Sequence, residues 1–188
     1  MSFILTPLPG LVIFEPTVHP DERGFFFESY NQRLFSANQI PNLFVQDNQS
    51  FSSYGVIRGL HYQREPHAQS KLVRVLQGRI LDVVVDIRKG SPGFGRSFSI
   101  ELSAEKKNQL FIPKGFAHGF SVLSETAEIS YKCDQFYNKP SESGILYNDK
   151  HLNIDWRIPM GKSLISDKDL QLGEFSENMN DFIYHPDE

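Results

Sequence analysis

The sequence predicts an all-β fold, a sandwich, barrel or jelly roll with a few short helices. Runs rich in Val, Ile, Phe and Tyr recur at short intervals between Gly, Pro, Asn and Ser residues, as expected for many short strands. Segments with helical character are sparse. Many short strands with little helix are typical of two-layer or closed β architectures.

The N-terminal region predicts a hairpin and the best helix candidate. PTV (16–18) and FFFESY (25–30) flank the turn-like string HPDERG, which favours a hairpin. Residues 31–39, NQRLFSANQ, are expected to be helical, with Asn31 as the N-cap. QDN (46–48) can be a turn before a strand.

The strongest strand signals lie in the middle of the chain. KLVRVL (71–76) and RILDVVVDI (79–87) are β-branched runs separated by Gln77-Gly78, which predicts a hairpin. Four further short strands are expected at SFSIEL (97–102), QLFI (109–112), GFSVL (119–123) and AEISYKC (127–133).

Composition bounds the function. The 188 residues are 39% hydrophobic and contain no repeat or linker, which predicts one domain over residues 1–188. The net charge of −4 argues against nucleic-acid binding, and no apolar run is long enough to span a membrane. The single cysteine, Cys133, is expected to serve in packing, and its lack of a disulfide partner favours a cytoplasmic protein.

Most reactive side chains are concentrated in five strings. These are RGLHYQ (58–63), Lys71 at the start of a strand, PKGFAHGF (113–120) with His118, YKCDQFY (131–137), and ISDKD (165–169). A lone histidine is most often half-buried and bonded to a backbone carbonyl. His61 departs from that expectation, because Gly59 favours a bulge or a close approach and Arg58 offers an anion site beside a base.

A metal site is the main competitor for these histidines, and the spacing disfavours it. Gln63 stands where the second histidine of a His-x-His pair would be required. His67 follows Pro66 in an expected loop, and His118 alone does not form a ligand set. We therefore expect no metal.

The two tyrosines of YKCDQFY have the same parity. If the string is one strand, Tyr131 and Tyr137 face one side about 20 Å apart, and a ligand that touches both is as long as a nucleotide sugar. The alternative is that both are core aromatics. Arg23, in the turn-like DERG, and Glu28 are equally compatible with solvated surface charges.

Taken together, these strings resemble the dTDP-4-dehydrorhamnose 3,5-epimerase family from about residue 3 to 170. RGLHYQ followed by IPKGFAHGF (112–120) is the most specific part, and VQDNQS, DVVVDIRKGSP, YKC with Tyr137, and ISDKD also match. Gln49, Phe51 and the tail at about 170–188 depart from the family pattern.

The resemblance implies a cupin-like jelly roll, a homodimer that exchanges strands, and catalysis with neither a metal nor an organic cofactor. It implies that His61 is the base, that Asp169 orients it, that Tyr131 is the acid on the opposite face and that Lys71 stabilises the enolate oxygen. Tyr137 would stack on thymine. The other implied substrate contacts are Arg23, Glu28, Gln46, Asp47, Asn48, Arg58, His118, Glu142 and Lys168.

The implied reaction converts dTDP-4-dehydro-6-deoxy-D-glucose, a dTDP-4-keto-6-deoxyhexose, to dTDP-4-dehydro-L-rhamnose by inversion at C3 and C5. Hydrogens beside a ketone are acidified because the charge left by their removal reaches the carbonyl oxygen, so a base and a cation are both needed. Three alternatives stay open: a 3- or 5-epimerase of a related sugar, a non-catalytic sugar-binding cupin, and a metal-dependent oxygenase.

Overall fold

The computed structural model of the chain describes residues 1–176, 179 and 181–186. Two antiparallel sheets face each other, with two short helices outside them. The larger sheet has six strands, in the spatial order β1 (Ser2–Leu5), β2 (Val12–Glu15), β11 (Gln109–Ile112), β7 (Lys71–Gln77), β13 (Thr126–Cys133) and β5 (Gln46–Ser53).

The second sheet has five strands. Their spatial order is β10 (Ser97–Ser103), β8 (Arg79–Asp86), β12 (Phe116–Val122), β6 (Ile57–Gln63) and β14 (Glu142–Gly144). The remaining elements of the described residues are the hairpin β3 (His19–Asp21) and β4 (Gly24–Phe26), the parallel pair β9 (Arg88–Lys89) and β15 (Phe182–Ile183), the α-helices α1 (Gln32–Ala37) and α2 (Asp167–Leu170), and a 3-10 turn at Lys139–Ser141. This architecture confirms the all-β jelly-roll prediction.

The alternation of side chains along β8 explains how the sheets pack. Ile80 and Val84 point between the two sheets, into a core shared with β7, β12 and β13. Leu81, Val83 and Val85 point to the other face, where the C-terminal third of the chain covers them. A strand that is buried on both faces has apolar residues at successive positions. This is why RILDVVVDI shows no alternation of apolar and polar residues.

The predicted hairpin at Gln77-Gly78 is wrong. β7 and β8 are consecutive, yet β7 pairs with β11 and β13 in one sheet while β8 pairs with β10 and β12 in the other. Gly78 has φ +75°, and a Cβ there would lie 2.1 Å from the carbonyl oxygen of Thr126. The dipeptide is therefore a tight corner between layers, and the two-residue spacing alone does not distinguish such a corner from a hairpin.

Two N-terminal predictions are confirmed, although the strands of the hairpin have different bounds from those predicted. Helix α1 begins after Asn31, whose side chain accepts hydrogen bonds from the amides of Arg33 and Leu34 at 3.1 and 3.3 Å. The predicted hairpin exists, but its strands include HPD and GFF, so the chain reverses at Glu22-Arg23. Within the described residues, no helix is long and apolar enough to cross a membrane.

The C-terminal segment after α2 returns to the five-stranded sheet. Phe182 is 8% exposed and packs in the outer cluster, and β15 lies parallel to β9. Residues 177, 178, 180, 187 and 188 of the tail that departs from the family pattern lie outside the described residues.

Candidate active site

Polar side chains replace apolar ones at one end of the space between the sheets. In β7, Lys71 has the same parity as the core residues Val73 and Val75, and in β13, Tyr131 and Cys133 continue the row of Ile129. A polar residue in a core-facing row cannot pack as its apolar neighbours do. A cavity therefore opens at this end, lined by Gln46, Asn48, His61, Tyr62, Gln63, Gln69, Lys71, Tyr131, Tyr137 and Glu142.

A second lobe of the cavity meets the first at His61. Three of its lining residues carry charge: Arg58, Lys168 and Asp169. The two lobes bring together most of the residues that the sequence nominated, and His61 belongs to both.

His61 is bonded to a carboxylate. Its Nε2 lies 2.7 Å from Oδ1 of Asp169, and the imidazole side chain is 31% exposed while the carboxylate is 5% exposed. Asp169 Oδ2 accepts the amide of Gly59 at 3.2 Å. Burial raises the pKa of Asp169, but the hydrogen bond and charge of His61 and the bond from Gly59 outweigh it and leave this pKa below its ordinary value.

This pairing determines which ring nitrogen is basic. An ionised carboxylate only accepts hydrogen bonds, so Nε2 of His61 carries the proton in the neutral ring. The lone pair is then on Nδ1, which is the atom able to remove a proton. The arrangement is that of a carboxylate-oriented general base.

Gly59 is required by a close approach of two strands. It has φ +122°, and a Cβ would lie 2.5 Å from Cα of Gly119 in β12. The register between β6 and β12 shifts at this point, between His118 and Phe120. The bulge predicted from Gly59 is present, and it aims the Gly59 amide at Asp169.

Lys71 is an ammonium without a partner in the described part of the chain: it has neither an ion pair nor a side-chain hydrogen bond there. Burial lowers its pKa, and the nearby Cys133, Asp82 and Glu142 raise it in part. Cys133 lies directly opposite Lys71 in the β7–β13 ladder and is fully buried, as expected for a packing residue. An unpaired cation in a cavity is suited to meet a developing oxyanion.

The interpretation of YKCDQFY as a single strand is wrong. β13 ends at Cys133, and the following residues turn, so that Tyr137 lines the same lobe as Tyr131. Tyr137 Oη donates to Glu142 Oε2 at 3.0 Å, and Lys168 Nζ lies 2.7 Å from Glu142 Oε1. Burial raises the pKa of Tyr131, so its hydroxyl stays protonated over a wide pH range.

His118 and Arg58 flank the base. His118 lies opposite His61 in the β6–β12 ladder and is buried, while Arg58 is exposed and donates from Nε to Ser52 Oγ at 3.1 Å. His118 Nε2 contacts both carboxylate oxygens of Asp82, at 3.0 and 3.1 Å.

Asp82 is the residue that the sequence analysis missed. It is 0% exposed, and His118 is its only hydrogen-bond partner in the described part of the chain. The available signal was a lone carboxylate inside the apolar run ILDVVV, where a charge is costly unless it is paired.

Four nominated residues line neither lobe in this single chain: the buried His118, and three that lie further away. Arg23 sits at the turn of the β3–β4 hairpin, where it pairs with Asp21. Glu28 is exposed and accepts from Asn31 Nδ2 at 3.1 Å. Asp47 has the opposite parity to Gln46 and Asn48, and it pairs with Lys132 on the outside of the sheet.

Gln63 is engaged by the backbone. Its Nε2 donates to the carbonyl oxygens of His67 and Phe136, and its Oε1 accepts the amide of Asn138 at 2.7 Å. No group of three or more His, Cys, Asp or Glu side chains in the described residues is arranged to hold a metal ion.

An all-β sandwich that holds a carboxylate-oriented histidine opposite a lysine and a tyrosine has a site suited to acid–base catalysis. A sequence model of the dTDP-4-dehydrorhamnose 3,5-epimerase family matches residues 5–177. The dTDP-4-dehydrorhamnose 3,5-epimerase of Shigella flexneri is 54% identical over 176 residues, which are 93% of this chain and 96% of that protein.

Solved structures agree with this match. The dTDP-4-dehydrorhamnose 3,5-epimerase of Elizabethkingia anophelis superposes with a TM-score of 0.90 at 52% identity, over 95% of this chain and 98% of that one. A dTDP-6-deoxy-D-glucose-3,5-epimerase of Legionella pneumophila, solved in complex with dTDP-4-keto-L-rhamnose, gives a TM-score of 0.88 at 47% identity, over 92% of each chain.

The chain belongs to the dTDP-4-dehydrorhamnose 3,5-epimerase family. The family and the enzyme class predicted from the sequence, an isomerase of the epimerase type, are thereby confirmed.

Proposed function

We propose that this epimerase inverts C3 and C5 of dTDP-4-dehydro-6-deoxy-D-glucose and gives dTDP-4-dehydro-L-rhamnose, with His61 as the base. The observation that carries the assignment of the base is the 2.7 Å contact between His61 Nε2 and Asp169 Oδ1 at the junction of the two lobes. The family membership supplies the substrate class.

The first half of each inversion is removal of a proton beside the C4 ketone. His61 Nδ1 takes the proton, and Asp169 stabilises the resulting imidazolium. The electron pair moves to the ketone oxygen, where the free ammonium of Lys71 faces the developing charge. Low exposure strengthens this interaction, because little water screens it.

The second half is protonation from the opposite face of the sugar. Tyr131 lies on the six-stranded sheet, while His61 lies on the five-stranded sheet that faces it. A sugar ring held between the sheets therefore has a base on one side and a hydroxyl donor on the other. Addition of a proton by Tyr131 inverts the carbon, whereas return of a proton by His61 restores it.

One constellation serves both carbons. C3 and C5 flank the same carbonyl, so each deprotonation places charge on the same oxygen and Lys71 stabilises both enolates. Only a small shift of the ring is needed to bring the second hydrogen to His61.

The nucleotide extends from the sugar along the cavity. Arg58 and Lys168 make the second lobe positive, which suits a diphosphate although the whole chain carries a net charge of −4. We assign stacking on thymine to the exposed ring of Tyr137. The remaining contacts are assigned to Gln46, Asn48, Glu142 and His118.

We propose further that the enzyme is a homodimer in which each chain completes the pocket of its partner. Arg23 and Glu28 do not reach the cavity of their own chain, and the β3–β4 hairpin that precedes Glu28 exposes Phe25 and Phe26. A hairpin with exposed aromatic rings needs a surface to cover it. Asp47 would contact substrate only if its ion pair with Lys132 opened.

The single, buried cysteine favours a cytoplasmic location for the enzyme.

Proton NMR in heavy water tests the reaction. The enzyme is incubated with dTDP-4-dehydro-6-deoxy-D-glucose, and deuterium should enter both C3 and C5 with inversion of both centres. Deuterium at C3 alone, with C5 retaining its configuration, identifies a 3-epimerase. Binding of the nucleotide sugar with no exchange at either carbon identifies a non-catalytic sugar-binding cupin.

A further inference from the structure

The C-terminal segment beyond the family match fastens the strand that carries the base. Tyr62 Oη donates to Asp181 Oδ2 at 2.7 Å, and Arg64 Nε lies 3.2 Å from the same oxygen. Asp181 lies outside residues 5–177, which the family model matches. Nothing in the proposed reaction uses this carboxylate.

Tyr62 is the immediate neighbour of His61 on β6, and its side chain points the other way. Both residues border the cavity, but Tyr62 is 6% exposed and packs in the cluster on the outer face of the sheet, where its hydroxyl meets Asp181. Burial raises the pKa of Tyr62, which keeps its hydroxyl a donor to Asp181. A force on the Tyr62 side chain is therefore transmitted to the backbone on which His61 sits.

β6 needs such support because its ladder is irregular at this point. Its register with β12 shifts between His118 and Phe120, and Gly59 occupies a positive φ. On the other side, β14 pairs with β6 over only three residues. The sheet alone thus holds His61 less firmly than a regular central strand would.

The segment itself is anchored at a second point. Phe182 is buried, with its ring centroid 6.0 Å from that of Tyr62, and β15 pairs with β9. Arg88 lies over the ring of Tyr184, with 5.0 Å between the guanidinium carbon and the ring centroid. Asp181 is consequently held from the β9 side while it binds the side chains of β6.

We propose that Asp181 is a positioning residue that acts through Tyr62 and Arg64 to fix how far His61 reaches into the cavity. The inference rests on the proposed role of His61 as the base. A displacement of a catalytic group by about 1 Å costs up to roughly a hundredfold in rate, so a partial loosening should cost about tenfold.

Asp181→Asn and Tyr62→Phe test the inference in the full chain, by the rate of deuterium exchange at C3 and C5 and by thermal denaturation. Each variant should lower kcat about tenfold with an essentially unchanged KM, because the nucleotide contacts are untouched. The double variant should be no slower than either single variant. Asp181→Glu, which keeps the carboxylate, should recover most of the rate even if Asp181→Asn folds poorly.

Asp155→Asn is the matched control, since this exposed aspartate caps the local amide of Arg157 at 2.8 Å. If the Asp181 and Tyr62 variants melt at a lower temperature but keep the wild-type kcat when folded, the segment is merely structural and the inference is overturned. Independent, additive losses in the double variant overturn it as well. Absence of exchange in the wild-type enzyme would instead refute the proposed reaction.

Discussion

Asp82 and His118 form a buried pair, with Asp82 Oδ2 3.0 Å from Nε2 of His118 on the neighbouring strand. A carboxylate on Nε2 leaves Nδ1 of His118 as the nitrogen available to a ligand. The pair lies beside His61, because His118 is directly opposite His61 in the β6–β12 ladder.

Removal of the Asp82 carboxylate should weaken substrate binding. In Asp82→Ala the His118 ring loses its only charged partner in the described structure, so KM should rise about tenfold, as expected for loss of a charge-assisted hydrogen bond. Asp82→Asn keeps an acceptor and should show a smaller rise. Steady-state kinetics check this, and an unchanged KM in Asp82→Ala would remove His118 from the substrate contacts.

His61 and Tyr131 variants should fail in different ways. His61→Ala should abolish both solvent exchange and epimerisation, because no enolate forms. Tyr131→Phe should lose epimerisation by about 10²–10⁴-fold yet keep part of the exchange, since His61 returns a proton to the same face. Tyr54→Phe, at an exposed tyrosine in the β5–β6 turn, is the control. Equal loss of exchange in both variants would refute this division of roles.

The alkaline limb of the exchange rate should report Lys71. Burial lowers the pKa of Lys71 below its ordinary 10.5, while Cys133, Asp82 and Glu142 raise it in part. The rate should therefore fall as pH rises through a value below 10.5 and Lys71 loses its proton. Burial shifts the pKa of Tyr131 upward, so Tyr131→Phe should retain the same limb. The residual exchange of Lys71→Arg should lack it, and a limb that persists there belongs to another group.

Mixed dimers should reveal which chain supplies Arg23. Alone, His61→Ala chains should be inactive and Arg23→Ala chains weakly active. If Arg23 serves the partner's pocket, a dimer of the two places both defects in one pocket and leaves the other intact, so mixing after denaturation and refolding should restore activity. No gain on mixing would place Arg23 outside the partner's site. Sedimentation equilibrium should give about twice the chain mass of 21.6 kDa.

Activity should survive prolonged chelation and dialysis. Gln63 occupies the position where a His-x-His pair would continue, and three backbone groups already engage its amide. Elemental analysis before and after chelation checks this expectation. A stoichiometric metal whose removal abolishes exchange would contradict the proposed chemistry.

The strands could be predicted from sequence because they depend on local patterns. QLFI and AEISYKC match observed strands within one residue, and the Asn31 cap marks the start of α1. Which strands pair could not be predicted in the same way. A Gln-Gly corner between sheets and a Gln-Gly hairpin need the same local chemistry, and only the long-range packing of β8 between two layers decides between them.

The sequence predicted the residues of the site better than it predicted how the chain brings them together. His61, Lys71 and Tyr131 were nominated by motif, and parity within β7 and β13 explains why Lys71 and Tyr131 meet in one cavity. The sequence did not predict that the chain turns after Cys133 and brings Tyr137 back to the cavity, because this turn contains neither Gly nor Pro. Asp181 carries no motif, and its role depends on how the segment after α2 folds back.

The 108 positions between His61 and Asp169 set a condition on biosynthesis. At about 5–20 residues per second, Asp169 leaves the ribosome roughly 5–20 s after His61. One edge of β2 also stays unpaired until β11, its partner strand, has been made much later. A nascent chain therefore carries His61 and open sheet edges well before it has Asp169, and such non-local pairing makes folding slow. The pair of His61 and Asp169 consequently forms only once α2 has been made and closes onto strands made long before.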